Sequence, residues 1–190
     1  MKMHQKILGL MFLGATSIIS AQSTESANQT ENLGKVSLAF HGPEVSYEWA
    51  LSNEFVWENS FGLGMGMSTN GNSNSYDWDL SSPTPFLKSE LKYLYNFAKR
   101  VAKGKDTQNN SANYIGLQTK YSFGDGRAYS ILNQSLLTEI HWGLQRNLGS
   151  RFLINTHIGL GILNDFEYQK AAVSPTFKVA FSYIIFKNVK

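Results

Sequence analysis

At 190 residues the chain has the length of one domain, and with 42% hydrophobic and 16% charged residues it is too apolar and too weakly charged to be disordered. It contains no cysteine, so no disulfide framework holds it together. Lys2 and Lys6 are two of its 17 basic residues; the rest of the chain sets 15 bases against 14 acids, which leaves no basis for nucleic-acid binding.

Those two lysines open the chain. Ile7 to Ile19 is apolar or small throughout, and Ser20-Ala21-Gln22 then turns polar. Residues 1–21 read as a secretory signal peptide cleaved after Ala21. The apolar run is too short to cross a membrane core of about 30 Å as a helix. Residues 22–33, rich in Ser, Thr, Asn and Gln, read as a flexible periplasmic lead, and residues 34–190 as the folded domain.

From there apolar and polar residues alternate with period two, the signature of strands with unlike faces. Val36, Leu38 and Phe40 oppose Lys35, Ser37 and His41; Gly42-Pro43 reads as a tight turn. Val45, Tyr47, Trp49 and Leu51 then oppose Glu44, Ser46 and Glu48. A third strand runs from Phe55 through Leu63 to Met65 and Met67, with Gly62, Gly64 and Gly66 on its other face. After a polar loop over 69–82, Leu87, Leu91, Tyr93, Tyr95 and Phe97 oppose Lys88, Glu90 and Lys92. The basic run Lys99-Arg100…Lys103-Gly104-Lys105 forms the next turn. Ile115, Leu117, Tyr121 and Phe123 oppose Gly116, Gln118 and Lys120. Ile140, Trp142 and Leu144 oppose Glu139, His141 and Gly143. Phe152, Ile154, Ile158, Leu160 and Ile162 oppose Arg151, Asn155, His157 and Gly159. Phe177 to Ile185 closes the set against Lys178, Ala180 and Ser182.

Eight strands, an even number, suit an antiparallel barrel with both termini on one side. A soluble barrel turns its apolar face inward. Here the apolar faces are large and aromatic while glycines and balanced charges crowd the polar faces, as a narrow eight-stranded interior requires. Trp49, Trp57, Tyr95, Phe97, Tyr121 and Phe123 stand near strand ends, where interfacial aromatic girdles lie. The expected fold is all-β: an eight-stranded, antiparallel, up-and-down transmembrane β-barrel.

On these features the chain resembles the small OmpA/OmpX-type barrels of Gram-negative outer membranes. Its last strand, Lys178 to Ile185, is similar to the C-terminal signal read by the barrel assembly machinery. It departs in having Ala180 where Gly is usual, and in the four residues that follow Phe186. The stretch from Lys99 to Tyr114 is similar to a segment of uncharacterised small outer-membrane proteins. The resemblance implies residence in the cell outer membrane, contact with outer-membrane lipid and lipopolysaccharide, and a monomer; it implies no activity.

Two groups of residues are candidates for function. Antiparallel pairing across a turn at 147–149 sets Glu139 and His141 opposite Asn155 and His157, facing the lumen. A Glu–His unit suits acid–base chemistry, and lipid A deacylases are small barrels using such groups; no serine joins the patch by parity, so hydrogen-bonded filling of the interior is the leading reading. Two histidines fall short of a metal site, and neither metal nor cofactor is expected. In the loop over 69–82, Tyr76, Asp77, Trp78 and Asp79 are candidate ligand anchors, against a plain solvated loop; the spacing of a calcium-binding loop is absent. The expected function is non-enzymatic, structural or surface-binding through extracellular loops, with a lipid-A-modifying acyl hydrolase or a narrow channel as alternatives.

Overall fold

A computed structural model describes residues 29–77, 83–124 and 133–189. The segments read as signal peptide (1–21) and most of the polar lead lie outside the described residues. Eight strands form one closed antiparallel barrel: β1 (Glu31–Ala39), β2 (Gly42–Ala50), β3 (Phe55–Gly64), β6 (Thr84–Tyr93), β7 (Asn113–Ser122), β8 (Ser135–Asn147), β9 (Phe152–Asp165) and β10 (Lys170–Val189). Between β3 and β6 a short hairpin, β4 (Gly66–Thr69) and β5 (Asn74–Asp77), forms a separate two-stranded sheet. Each barrel strand pairs with its neighbour in the chain, and β1 closes on β10 with Glu31 opposite Val189 and Ala39 opposite Ala180. The topology is therefore up-and-down, as the alternation predicts.

The faces sort by polarity in the inverse of a soluble protein. Leu38, Phe61, Leu87, Leu117, Ile140, Ile158, Leu160, Phe177 and Phe181 are exposed on the outer wall. Lys35, Lys88, Lys92, Lys120, Lys178, Glu44, Glu48, Glu58, Glu90 and Glu139 all point inward, none more than 6% exposed. Glycines make this crowding possible. A β-carbon on Gly143 would lie 2.4 Å from Cζ of Tyr114, and one on Gly116 would lie 2.2 Å from Nε2 of His141.

Several local expectations are corrected. The first hairpin turns at Phe40-His41, with Ala39 paired to Gly42, rather than at Gly42-Pro43. Gly42 is required for a different reason: its φ is +134°, and the Leu63 carbonyl oxygen would stand 2.1 Å from any β-carbon there. Pro43 sits opposite Leu38, one residue before the β2–β3 ladder begins at Glu44. Met67 leaves the outer face, because β4 folds inward and buries it against Leu137 and Leu163. Phe97 is likewise no girdle residue. It begins the helix α1 (Phe97–Ala102) and packs with Val56, Leu94, Ala112 and Tyr114 at the end of the barrel where β1 begins and β10 ends, the lower end. Arg151 lies exposed in the β8–β9 turn rather than on the inner wall. Finally, β1 begins at Glu31, inside the stretch read as a flexible lead.

The chain between β6 and β7 closes the lower end. Lys99, Lys103 and Lys105 are exposed, but Asn109 and Asn110 are buried with φ of 53° and 58°, a left-handed conformation that asparagine tolerates. The Asn110 side chain accepts from the Glu31 amide (2.8 Å) and donates to the Glu31 carbonyl (2.8 Å), while the Asn109 amide donates to the Glu31 carboxylate (2.7 Å). Gln145 Nε2 donates to the Asn109 carbonyl at 2.9 Å, so the segment is tied to both β1 and β8.

At the upper end, Asp165 anchors the β4–β5 hairpin. Its carboxylate accepts from the Thr69 amide (3.1 Å), Asn133 Nδ2 (2.8 Å) and the Glu167 and Tyr168 amides (2.9 Å each). The rim is uneven. The β1–β10 ladder ends at Ala39 and Ala180, yet β9 and β10 stay paired up to Asp165 and Lys170. Above Val179, whose carbonyl accepts from the Phe40 amide, β10 has β9 on one side only.

Candidate functional site

Strand alternation aims the charged residues inward, and the pleat stacks them in three tiers. In the lowest tier Lys35 Nζ lies 2.8 Å from Glu48 and 3.0 Å from Glu58, and Lys92 Nζ lies 3.0 Å from Glu48 and also bonds Glu58. These groups come from β1, β2, β3 and β6, so the tier ties half the barrel wall together. In the upper tier Glu44 receives Lys88 (2.6 Å), His41 (3.2 Å) and Lys178 (3.4 Å).

The middle tier holds the residues singled out in the sequence. His141 Nε2 is 3.0 Å from Glu90 Oε1; its Nδ1 is 2.9 Å from Glu139 Oε1, without the geometry of a hydrogen bond. His157 Nε2 is 3.2 Å from the same Glu139 oxygen, and Gln118 Nε2 donates to it at 3.1 Å. The two imidazole rings stack with centroids 3.9 Å apart. The structure thus unites Glu139, His141 and His157, but not by the expected pairing. His141 is opposite Gly159 and Glu139 is opposite Gly161; Asn155 faces Gln145 instead. The β8–β9 turn is longer than expected, and the tilt of the strands brings His157 diagonally onto His141. Asn155 belongs to the lower tier, accepting from the Tyr114 hydroxyl at 2.9 Å and donating to Gln145 at 3.1 Å.

Glu90 does not stand out in the sequence because β6 and β8 are not paired; they flank β7, and His141 reaches Glu90 over the bare Gly116 between them. With it, ligand atoms of Glu90, His141 and His157 lie within 4.8 Å of one another. The donor count that two histidines lacked is therefore made up. Chemically the arrangement is an imidazole held between two carboxylates: Glu139 is also met by His157 and Gln118, while Glu90 Oε2 has no hydrogen-bond partner among the described residues.

Above this tier lies a chamber of about 260 Å³, floored by Glu139 and His157 and roofed by Met65, Met67 and Tyr76. Tyr76 of β5 bonds its hydroxyl to the Ser174 hydroxyl, and partial burial raises its phenol above the usual value. Asp77 ends β5 opposite Gly66. Trp78 and Asp79 lie outside the described residues. The loop candidates therefore divide: Tyr76 is a wall of the chamber rather than a free surface anchor. No serine lines the chamber among the described residues; its hydroxyls are those of Tyr76 and Thr176.

Comparison with known proteins found no matching family model, no similar curated protein and no similar solved structure.

Proposed function

We propose that the chain is an exported, outer-membrane β-barrel protein of the small OmpA/OmpX-like kind, non-enzymatic and non-conducting, whose upper end faces outward and carries its binding surface. The observation that carries this reading is the inverted polarity of the wall. An outer surface of Leu, Ile and Phe over a polar, charge-rich interior is costly in water and favourable in lipid. The tiers of ion pairs support a plug rather than a pore. A water path would have to separate Lys35 and Lys92 from Glu48 and Glu58, leaving buried charges unpaired at several kcal/mol each. The closed lower end argues the same way. The acyl hydrolase alternative has an imidazole–carboxylate pair beside the chamber but no serine lining it among the described residues, which favours the structural role of Glu139, His141 and His157.

The test is fractionation of cells with washing, electrophoresis of the membrane fraction with and without boiling, and planar-bilayer conductance of the purified protein. The expected result is outer-membrane residence, a heat-modifiable band and no unitary current. A chain washed free into the periplasm refutes the membrane reading; discrete conductance steps refute the plug.

A further inference from the structure

The chamber has a side window. Below Val179 the wall is continuous; above it β10 runs on without a β1 neighbour, and the chamber lining crosses there from inward residues to Phe40, Pro175 and Phe177. Phe40 and Phe177 are 65% and 64% exposed, at the level of the apolar belt formed by Ile158 and Leu160, which pair with Phe177 and Pro175. The β4–β5 hairpin closes the window from above, where Asn74 Nδ2 donates to the Val173 carbonyl at 3.0 Å.

Inside stands a buried lysine that makes no ion pair among the described residues. Lys120 is 6% exposed, and among the described residues no carboxylate lies within ion-pair distance of its ammonium; it rests 4.5 Å from the centroid of the Phe86 ring. Lys88 and Lys178, which also line the chamber, are already committed to Glu44. Glu139 is the one acid in the lining, and two imidazoles hold it. Gln118 Oε1 and the Thr176 hydroxyl line the same space without partners. A buried ammonium without a close partner is destabilised, and an anion beside it would restore the charged form. His41, already on Glu44, also lines the chamber, and Met65, Met67 and Leu137 give it an apolar side that leads to the window.

We propose that the chamber binds an anionic amphiphile entering from the membrane. Its carboxylate or phosphate head pairs with Lys120, and its acyl chain lies along Met67 and leaves between Phe40 and Phe177. The proposal rests on the membrane reading above. The probe is a long-chain fatty acid bearing a diazirine, added to phosphatidylcholine vesicles carrying the mature chain; after irradiation, labelled residues are mapped by mass spectrometry.

Two zones of label are expected: the outer belt at Leu160, and the chamber at Met65, Met67 or Leu137. Lys120→Met is expected to lower chamber labelling about tenfold or more, the worth of one charge-assisted hydrogen bond, and to leave Leu160 labelling unchanged. Lys120→Arg is expected to retain it. Dodecanoate and dodecyl phosphate compete; dodecanol, acetate and inorganic phosphate do not. Chamber labelling that persists in Lys120→Met, or that dodecanol displaces equally, overturns the proposal. Displacement by acetate or inorganic phosphate overturns the lipid source and assigns a free anion. Absence of label at Leu160 overturns the membrane reading, and this proposal with it.

Discussion

Gly143→Ala tests the inward packing with one methyl group. The added carbon would stand 2.4 Å from Tyr114 Cζ and 2.6 Å from its hydroxyl oxygen. Ordinary carbon contact begins near 3.5 Å, so the ring must move about 1 Å. Tyr114 is fully buried and its hydroxyl donates to Asn155 at 2.9 Å, so that displacement breaks the bond. Overpacking costs about 1–3 kcal/mol and the lost hydrogen bond about 1 kcal/mol, giving roughly 2–4 kcal/mol in all. Alanine is otherwise better than glycine in a strand interior by about 0.5–1 kcal/mol. In a Tyr114→Ala background the obstructing ring is gone, and Gly143→Ala should turn neutral or slightly stabilising. The assay is urea unfolding of refolded protein in detergent, followed by tryptophan fluorescence, for both single variants and the double. A penalty from Gly143→Ala that is equal in the two backgrounds refutes the placement of Tyr114 over Gly143, and with it the assignment of the inner face.

Three further outcomes follow from the same structure. Leu160→Arg on the outer wall should destabilise the protein in lipid vesicles by about 2–4 kcal/mol; an unchanged unfolding midpoint would show that the outer face meets water. Glu139→Ala removes the carboxylate that touches both His141 and His157 and accepts from Gln118, and should cost about 1–3 kcal/mol in a detergent melt while leaving cellular lipid A unchanged by mass spectrometry. A lost acyl-chain modification with normal stability would point to catalysis instead. Asp165→Ala removes the acceptor of four donors at the upper rim, so limited proteolysis should cut within residues 66–77; resistance equal to that of the parent chain would mean that the hairpin is held by other contacts.

The barrel was legible because each strand carries its own two-residue rhythm, and Lys35, Glu44, Glu48, Lys88 and Lys92 all fall on the face the rhythm assigns. Departures cluster where the chain leaves that rhythm for a tertiary reason. Met67 and Phe97 continue the alternation in sequence, but their segments bend inward to close the two ends, and nothing within a strand's length signals it. The pairing of β8 with β9 depends on how many residues the turn absorbs. A displacement by an even number of residues changes every opposite pair while keeping each residue on its face, so Glu139, His141 and His157 point inward as the alternation predicts but face other partners. The Glu90–His141 and Asp165–Thr69 contacts join residues 51 and 96 apart in the chain, so neither shows in any local pattern.

The overhanging length of β10 has a consequence for how copies of the protein meet. A bare strand edge invites a second chain to extend the sheet, the commonest route from a β-protein to aggregates. On this ledge Pro175 offers no amide hydrogen, and the Val173 carbonyl is already occupied by Asn74. An incoming strand would find two consecutive rungs missing on the facing side. The same residue that borders the window therefore also guards the ledge against intermolecular sheet growth.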